Sequence, residues 1–294
     1  MNARRTLVVF WMTLLGLAAV DERVAHGQEC RKTLLQWSYG TSFSGGADLD
    51  EPLVTDRPDF TESSSVVGLH VVQLEAGYTY THDDHADGRS HSHTFPEALL
   101  RVGVLAPWCE LRVGWGWAEE LALEGGLSNT DSGSEDLYLG TKLALTPQEH
   151  ILPETALILQ TTVPTGSPEF TADELLPGVN FIYGWDVNDC CSTAGQTQFN
   201  RSLDDQTGRP YLEFSQSWTV GRSWTDRLGS YTEWFMLAPD GADTVRNEHY
   251  FDGGFTYLFN NNVQWDIRAG VGLNDAADDF FVGTGFSFRR LPGR

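Results

Sequence analysis

Glu75, Glu97, Arg101, Glu110, Arg112, Lys142, Glu154, Glu213, Glu233, Asp266, Arg268 and Arg289 sit at alternate positions of segments rich in large apolar side chains. Charges placed this way can do two kinds of work. Around a water-filled bore they set which solutes pass. Between neighbouring strands they pair across the ladder and brace it. Their signs are mixed within neighbouring segments, and this suits bracing. Across the tight Ala106-Pro107 turn, Arg101 can meet Glu110 and Arg112 can meet Glu97.

Other groups invite other chemistry. His82, His85, His91 and His93, with Asp83 and Asp84, crowd one stretch, and imidazole with carboxylate suits zinc, copper or nickel. On a floppy outer loop such residues are not preorganised, and the reading is a solvated loop with no metal and no cofactor. Hydrolysis would need a nucleophile beside a base, and His249 with Ser215 or Ser217 supplies the residue types. Nothing in their spacing forces them together, so no enzyme is expected. The Gly-x-Gly repeats lie inside strand patterns with no helix after them, so they fail the dinucleotide-loop test.

These side chains must be carried by strands. In the first segment Val72, Leu74, Ala76, Tyr78 and Tyr80 alternate with Gln73, Glu75, Gly77, Thr79 and Thr81. Successive side chains of a strand point to opposite faces, giving one greasy and one wet side. The pattern recurs near 92–105, 109–118, 137–145, 153–164, 175–187, 209–221, 227–237, 247–259, 262–273 and 279–289. An antiparallel barrel with both ends of its wall on one side of a membrane needs an even number of strands. One ascending strand is therefore missing, and the polar stretch 190–203 is where it must lie.

The expected fold is all-β: an antiparallel transmembrane β-barrel of about 12 strands, apolar outside, with a short N-terminal periplasmic extension. A soluble sandwich or lipocalin-like barrel also alternates, but so many strands would expose too much apolar surface for one core. The formal charge of −22 and mean hydropathy of −0.29 agree with a wall whose inner half is wet, and they exclude a basic nucleic-acid footprint.

Arg4 and Arg5, an apolar run from Thr6 to Val20, and Ala25-His26-Gly27 have the order of a secretory signal. The expected division is signal peptide 1–27, extension or partial plug 28–66, and barrel 67–290. Cys30, Cys109, Cys190 and Cys191 would then enter an oxidising compartment, with three pairings open.

Thr55-Asp56-Arg57-Pro58-Asp59-Phe60-Thr61-Glu62-Ser63 followed by Val72-Gln73-Leu74-Glu75-Ala76-Gly77-Tyr78-Thr79-Tyr80 resembles the outer-membrane "transporter" family of meta-pathway phenol-degradation proteins. Pro164-Thr165-Gly166, Asp252-Gly253-Gly254-Phe255-Thr256-Tyr257-Leu258 and Phe281-Val282-Gly283-Thr284-Gly285-Phe286-Ser287-Phe288-Arg289 extend the likeness over residues 53–290. The chain departs from that family in running past Phe288 to Arg294 and in its histidine-rich first loop. The resemblance implies a barrel that moves small compounds, aromatic ones among them, across the bacterial outer membrane, and the expectation is a monomeric channel in contact with outer-membrane lipid. A barrel with a plugged lumen and no transport is the alternative, and a lipid hydrolase a more distant one. Glu75, Glu97, Arg101, Glu110, Arg112, Lys142, Glu154, Asp266 and Arg268 would line the lumen. Asp56, Arg57, Asp59 and Glu62 would reach those charges as a plug, or cap the first strand as a lid.

Overall fold

The computed structural model describes residues 32–37, 47–85, 88–124, 127–204 and 206–293. The expected signal peptide, 1–27, and Cys30 lie outside them. The strands are β1 (Val72–His85), β2 (Gly88–Gly103), β3 (Cys109–Glu124), β4 (Leu127–Ser134), β5 (Leu137–Thr146), β6 (Glu154–Val163), β7 (Leu176–Asn188), β8 (Cys191–Leu203), β9 (Pro210–Ser223), β10 (Leu228–Asp240), β11 (Glu248–Asn260), β12 (Val263–Gly272) and β13 (Phe280–Arg290). Every neighbour is antiparallel, β13 pairs with β1, and β2 pairs with β3, so the sheet closes on itself.

Thirteen strands build a wall of twelve positions. β3 pairs through Trp117–Glu124 with β4 and through Cys109–Gly114 with β5, so β4 and β5 share one position, broken at 135–136. The stretch between the sequence segments 109–118 and 137–145 is not a gap in the wall: β3 runs on to Glu124, and Leu127–Ser134 pairs back along it as β4. Its polarity on both faces hides it from a search for apolar alternation. The missing ascending strand is β8, hydrogen-bonded to β7 and β9 along its length. Its weak alternation has a local cause: on the outward face Thr193, Gly195, Thr197 and Arg201 leave Phe199 as the one large apolar side chain between Cys191 and Leu203.

The two faces separate cleanly. Trp115 and Phe286 are each 43% exposed on the outside, whereas Glu75, Arg101, Glu110 and Lys142 are fully buried on the inside. A soluble barrel has the opposite arrangement. An apolar band with buried charges fits a wall solvated by acyl chains. Within the wall, among the described residues, two small apolar clusters occur, one of Ala156, Ile158 and Ile182 and one of Phe235, Tyr250, Ala277 and Phe281.

Connections at one end are short, at 103–109, 188–191, 223–228 and 260–263, and the longer ones at 163–176, 240–248 and 272–280 lie at the other. The first strand begins at Val72 rather than near Val67. Residues 66–71 instead cross the short-turn end, where His70 N–H donates to Gly103 O.

Candidate functional site: the segment inside the wall

Residues 53–67 enter from the short-turn end and turn back inside the wall. Leu53 N–H donates to Asn261 O at 2.8 Å, Arg289 reaches Glu51 O, and Gln73 and Arg101 both donate to Val54 O. The segment then rises to Phe60 and descends through Ser63. Ser63 N–H and Oγ both donate to Asp56 Oδ1, at 2.9 and 2.7 Å, closing it into a loop.

Asp56 is the hub. Its carboxylate lies 2.6 Å from Arg112 Nη1, 2.8 Å from Lys142 Nζ and 3.1 Å from Arg101 Nη1. Arg101 also binds Glu75 at 2.9 Å and Glu110 at 2.8 Å, and Arg112 binds Glu62. Burial opposes ionisation of Asp56, but Arg101, Lys142 and Arg112 together outweigh it and hold the carboxyl well below the usual range. Of the two cross-strand pairs expected, Arg101–Glu110 forms. Arg112 turns instead to Asp56 and Glu62, and Glu97 pairs with Arg57 at 2.7 Å.

The remaining wall charges satisfy the segment's backbone, which would otherwise be stranded without partners. Glu75 accepts from the N–H groups of Asp56 and Arg57, Glu110 from Val67 N–H, and Glu154 from Ser65 Oγ. Arg268 donates to Pro58 O at 3.0 Å, and Asp266 stands 3.5 Å from Arg57 Nη2. Thus each of the wall residues Glu75, Glu97, Arg101, Glu110, Arg112, Lys142, Glu154, Asp266 and Arg268 touches residues 53–67.

Sequence reasoning gave less weight to several equal partners. Glu233 accepts from Phe60 N–H and Thr61 N–H at 2.6 and 2.7 Å. Gln196 accepts from Glu62 N–H and donates to Phe60 O, Gln264 donates to Thr55 Oγ1, and Ser217 bonds Thr61 Oγ1. Uncharged amides and hydroxyls at inward positions carried the same period as the charges and could have been found by it. Phe60 stacks on Phe235 at 4.5 Å, and Phe235 on Tyr250 at 4.7 Å. Asp59 stands near Glu233 and Asp252; burial and those like charges push its carboxyl well above its ordinary range.

Arg57 occupies a slot made by two glycines. Gly77 and Gly285 face each other across β1 and β13, and a Cβ on either would run into the guanidinium.

On the other side of the segment, toward the longer connections, lies a cavity of about 1250 Å³. Leu99, Tyr138, Phe170 and Leu176 give it apolar and aromatic walls, and Asp56–Asp59 its floor. The cations on its lining are engaged: Arg57 by Glu97, Arg112 by Asp56 and Glu62, Arg268 by the Pro58 carbonyl. Glu120, Glu135 and Glu169 also line it and form no ion pair among the described residues. Burial, with Glu97 close by, raises the Glu135 carboxyl above its ordinary value.

The histidines lie elsewhere. His82 is in β1 and His91 and His93 are in β2, so they sit on a hairpin of regular strands and not on a floppy loop. On the outward face His82 Nδ1 and His91 Nδ1 are 2.9 Å apart, and the hydroxyls of Tyr80 and Tyr78 bond His91 and His93. Among the described residues no three ligating side chains converge as a metal site, and the side chain of His85 lies outside them. Ser215 and Ser217 are fully buried on the inner face. His249 stacks on Trp234, and its strand neighbour Tyr250 points inward, which puts His249 on the opposite side of the wall. The structure does not bring these residues together.

Solved structures share this architecture. The COG4313 outer membrane channel from Pseudomonas putida F1 superposes with a TM-score of 0.59 at 13% identity, over 76% of this chain and 96% of that one. The translocator domain of the autotransporter NalP from Neisseria meningitidis gives 0.51 at 11% identity, over 81% and 92%. At such identities the likeness is one of fold, that of bacterial outer-membrane barrels. No curated protein matches the chain. The family described as "Putative MetA-pathway of phenol degradation" matches residues 55–290, from Thr55 in the inner segment to the last residue of β13, and the chain belongs to that family.

Proposed function

We propose that the protein is a monomeric outer-membrane channel for passive movement of small solutes, with residues 55–66 forming a constriction docked in its bore. The observation that carries this reading is the Asp56 hub, where one carboxylate on the inner segment meets three cations from three wall strands. A buried arrangement of that kind is expensive to assemble and is specific to one docked position. It supports a built element and not a stray tail.

The cavity beyond the segment supports a solute class. An entrance with aromatic walls and uncompensated carboxylates focuses a negative potential. It favours uncharged aromatic compounds and cations and repels carboxylates. Planar-bilayer conductance and liposome swelling with phenol, an aromatic amine and an aromatic carboxylate test this. The expected result is a small current in the wild-type protein and a larger one when the hub is broken by Asp56→Ala. Silence from both would replace the channel with a plugged barrel that carries nothing.

A further inference from the structure

The turn between β7 and β8 carries two adjacent thiols that no part of the channel uses. Cys190 is exposed, Cys191 is half-buried, and neither is in a disulfide. Their Sγ atoms are 3.6 Å apart. Asn188 Oδ1 accepts from Cys190 N–H at 3.0 Å and from its thiol at 3.2 Å, which holds the first sulfur over the second. Cys191 is the first residue of β8 and stands opposite Arg222 of β9. Cys109, the other cysteine among the described residues, is 4% exposed at the start of β3.

Two physical arguments bear on this pair. Once one sulfur has reacted, the other is already in contact with it, so ring closure is intramolecular and outpaces any second external thiol. The ring itself is strained. Adjacent Cα atoms lie about 3.8 Å apart, below the roughly 4.4 Å at which ordinary disulfides begin. Strained and accessible disulfides are the labile ones, opened as readily as they are closed.

We propose that Cys190 and Cys191 form a reversible dithiol–disulfide site whose reaction partner is a disulfide, from a small molecule or an oxidoreductase. The Cys190 thiolate attacks one sulfur of that disulfide and expels the first thiol. The Cys191 thiolate then attacks the Cys190 sulfur of the mixed disulfide and expels the second. The pair loses two electrons to the incoming disulfide, and the two protons end on the two released thiols. Reduction runs the same steps backward.

The test uses the full chain in detergent, equilibrated in glutathione buffers of increasing oxidised fraction, acid-quenched, alkylated with N-ethylmaleimide and mapped by peptide mass spectrometry. The peptide spanning both cysteines is expected to pass from two maleimide adducts to none, with loss of two hydrogens, and to return on adding dithiothreitol. The Cys191→Ser variant is expected to hold glutathione on Cys190 at least tenfold more than the wild type, because the resolving thiol is gone. Heat-modifiable gel mobility confirms that the variant remains a barrel. The proposal is overturned if both wild-type thiols stay alkylatable at every ratio. It also fails if the wild type retains glutathione, or if either cysteine pairs with Cys30 or Cys109.

Discussion

Arg112 Nη1 lies 2.6 Å from Asp56 Oδ2, joining a strand of the wall to the segment that fills it. The same guanidinium reaches Glu62 on the returning limb, so one wall side chain clamps both arms of the inner loop. Docking of both limbs of the inner segment therefore depends on one set of contacts.

Asp56→Ala removes the anion that Arg101, Arg112 and Lys142 share, leaving Arg101 to Glu75 and Glu110, Arg112 to Glu62 and Glu110, and Lys142 with only Glu62, at 3.8 Å. Removing one partner of a buried ion pair costs about 3–5 kcal/mol. The segment is expected to undock while the wall persists. Single-channel conductance should rise several-fold with unchanged heat-modifiable mobility. Unaltered conductance would show that the hub does not govern the bore.

The segment should be held most firmly in mildly acidic solution. The depressed Asp56 carboxyl contributes to docking at every pH above its unperturbed range and stops contributing only as pH falls well below it. Asp59, raised by burial beside Glu233 and Asp252, works in the opposite direction. The docked form retains a proton there that the free form has lost, so docking weakens as pH rises through the interval between the two Asp59 values. Amide protection factors of residues 55–66 in nanodiscs, corrected for the intrinsic pH dependence of exchange, should rise on mild acidification and fall again in strong acid. Asp59→Asn should abolish the first change and leave the second.

Gly77→Val places a side chain where the Arg57 guanidinium now rests. Because the obstacle is the end of a flexible side chain, Arg57 is expected to swing away while the β1–β13 ladder stays intact. Its pairs with Glu97 and Asp266 would be lost, and conductance should rise less than in Asp56→Ala. A barrel that fails to assemble would show the slot to be needed for the ladder itself.

Ile267 is 42% exposed on the outward face of β12. Arginine there would stand in hydrocarbon, and Ile267→Arg should cost about 2–4 kcal/mol if the site lies near the midplane. Reversible urea unfolding into lipid vesicles measures it. A cost near zero would place this face outside the acyl region.

Glu120→Gln, Glu135→Gln and Glu169→Gln together remove three of the cavity-lining carboxylates that form no ion pair among the described residues. Reversal potentials under a potassium chloride gradient should show cation preference in Asp56→Ala and a marked loss of it when the three changes are added. Equal selectivity in both proteins would assign the preference elsewhere.

Period-two hydropathy determined the wall. Residues such as Val263, Trp265 and Ile267 against Gln264, Asp266 and Arg268 declare two faces, because strand geometry leaves a side chain no third direction. Parity then required β8 even where Thr193, Gly195 and Thr197 on its outward face gave little alternation. The hairpin from β3 to β4 was not legible, since beyond the apolar band neither face is under pressure to be greasy. The identity of the partners also lay beyond the sequence. Arg112 could be read as facing Glu97 across a turn, but the segment that enters the lumen brings Asp56 and Glu62 closer and takes it. Local pattern fixes which way a side chain points. Only the path of residues 53–67 through the closed wall decides what it meets, because those contacts join positions more than two hundred residues apart, as between Arg57 and Asp266.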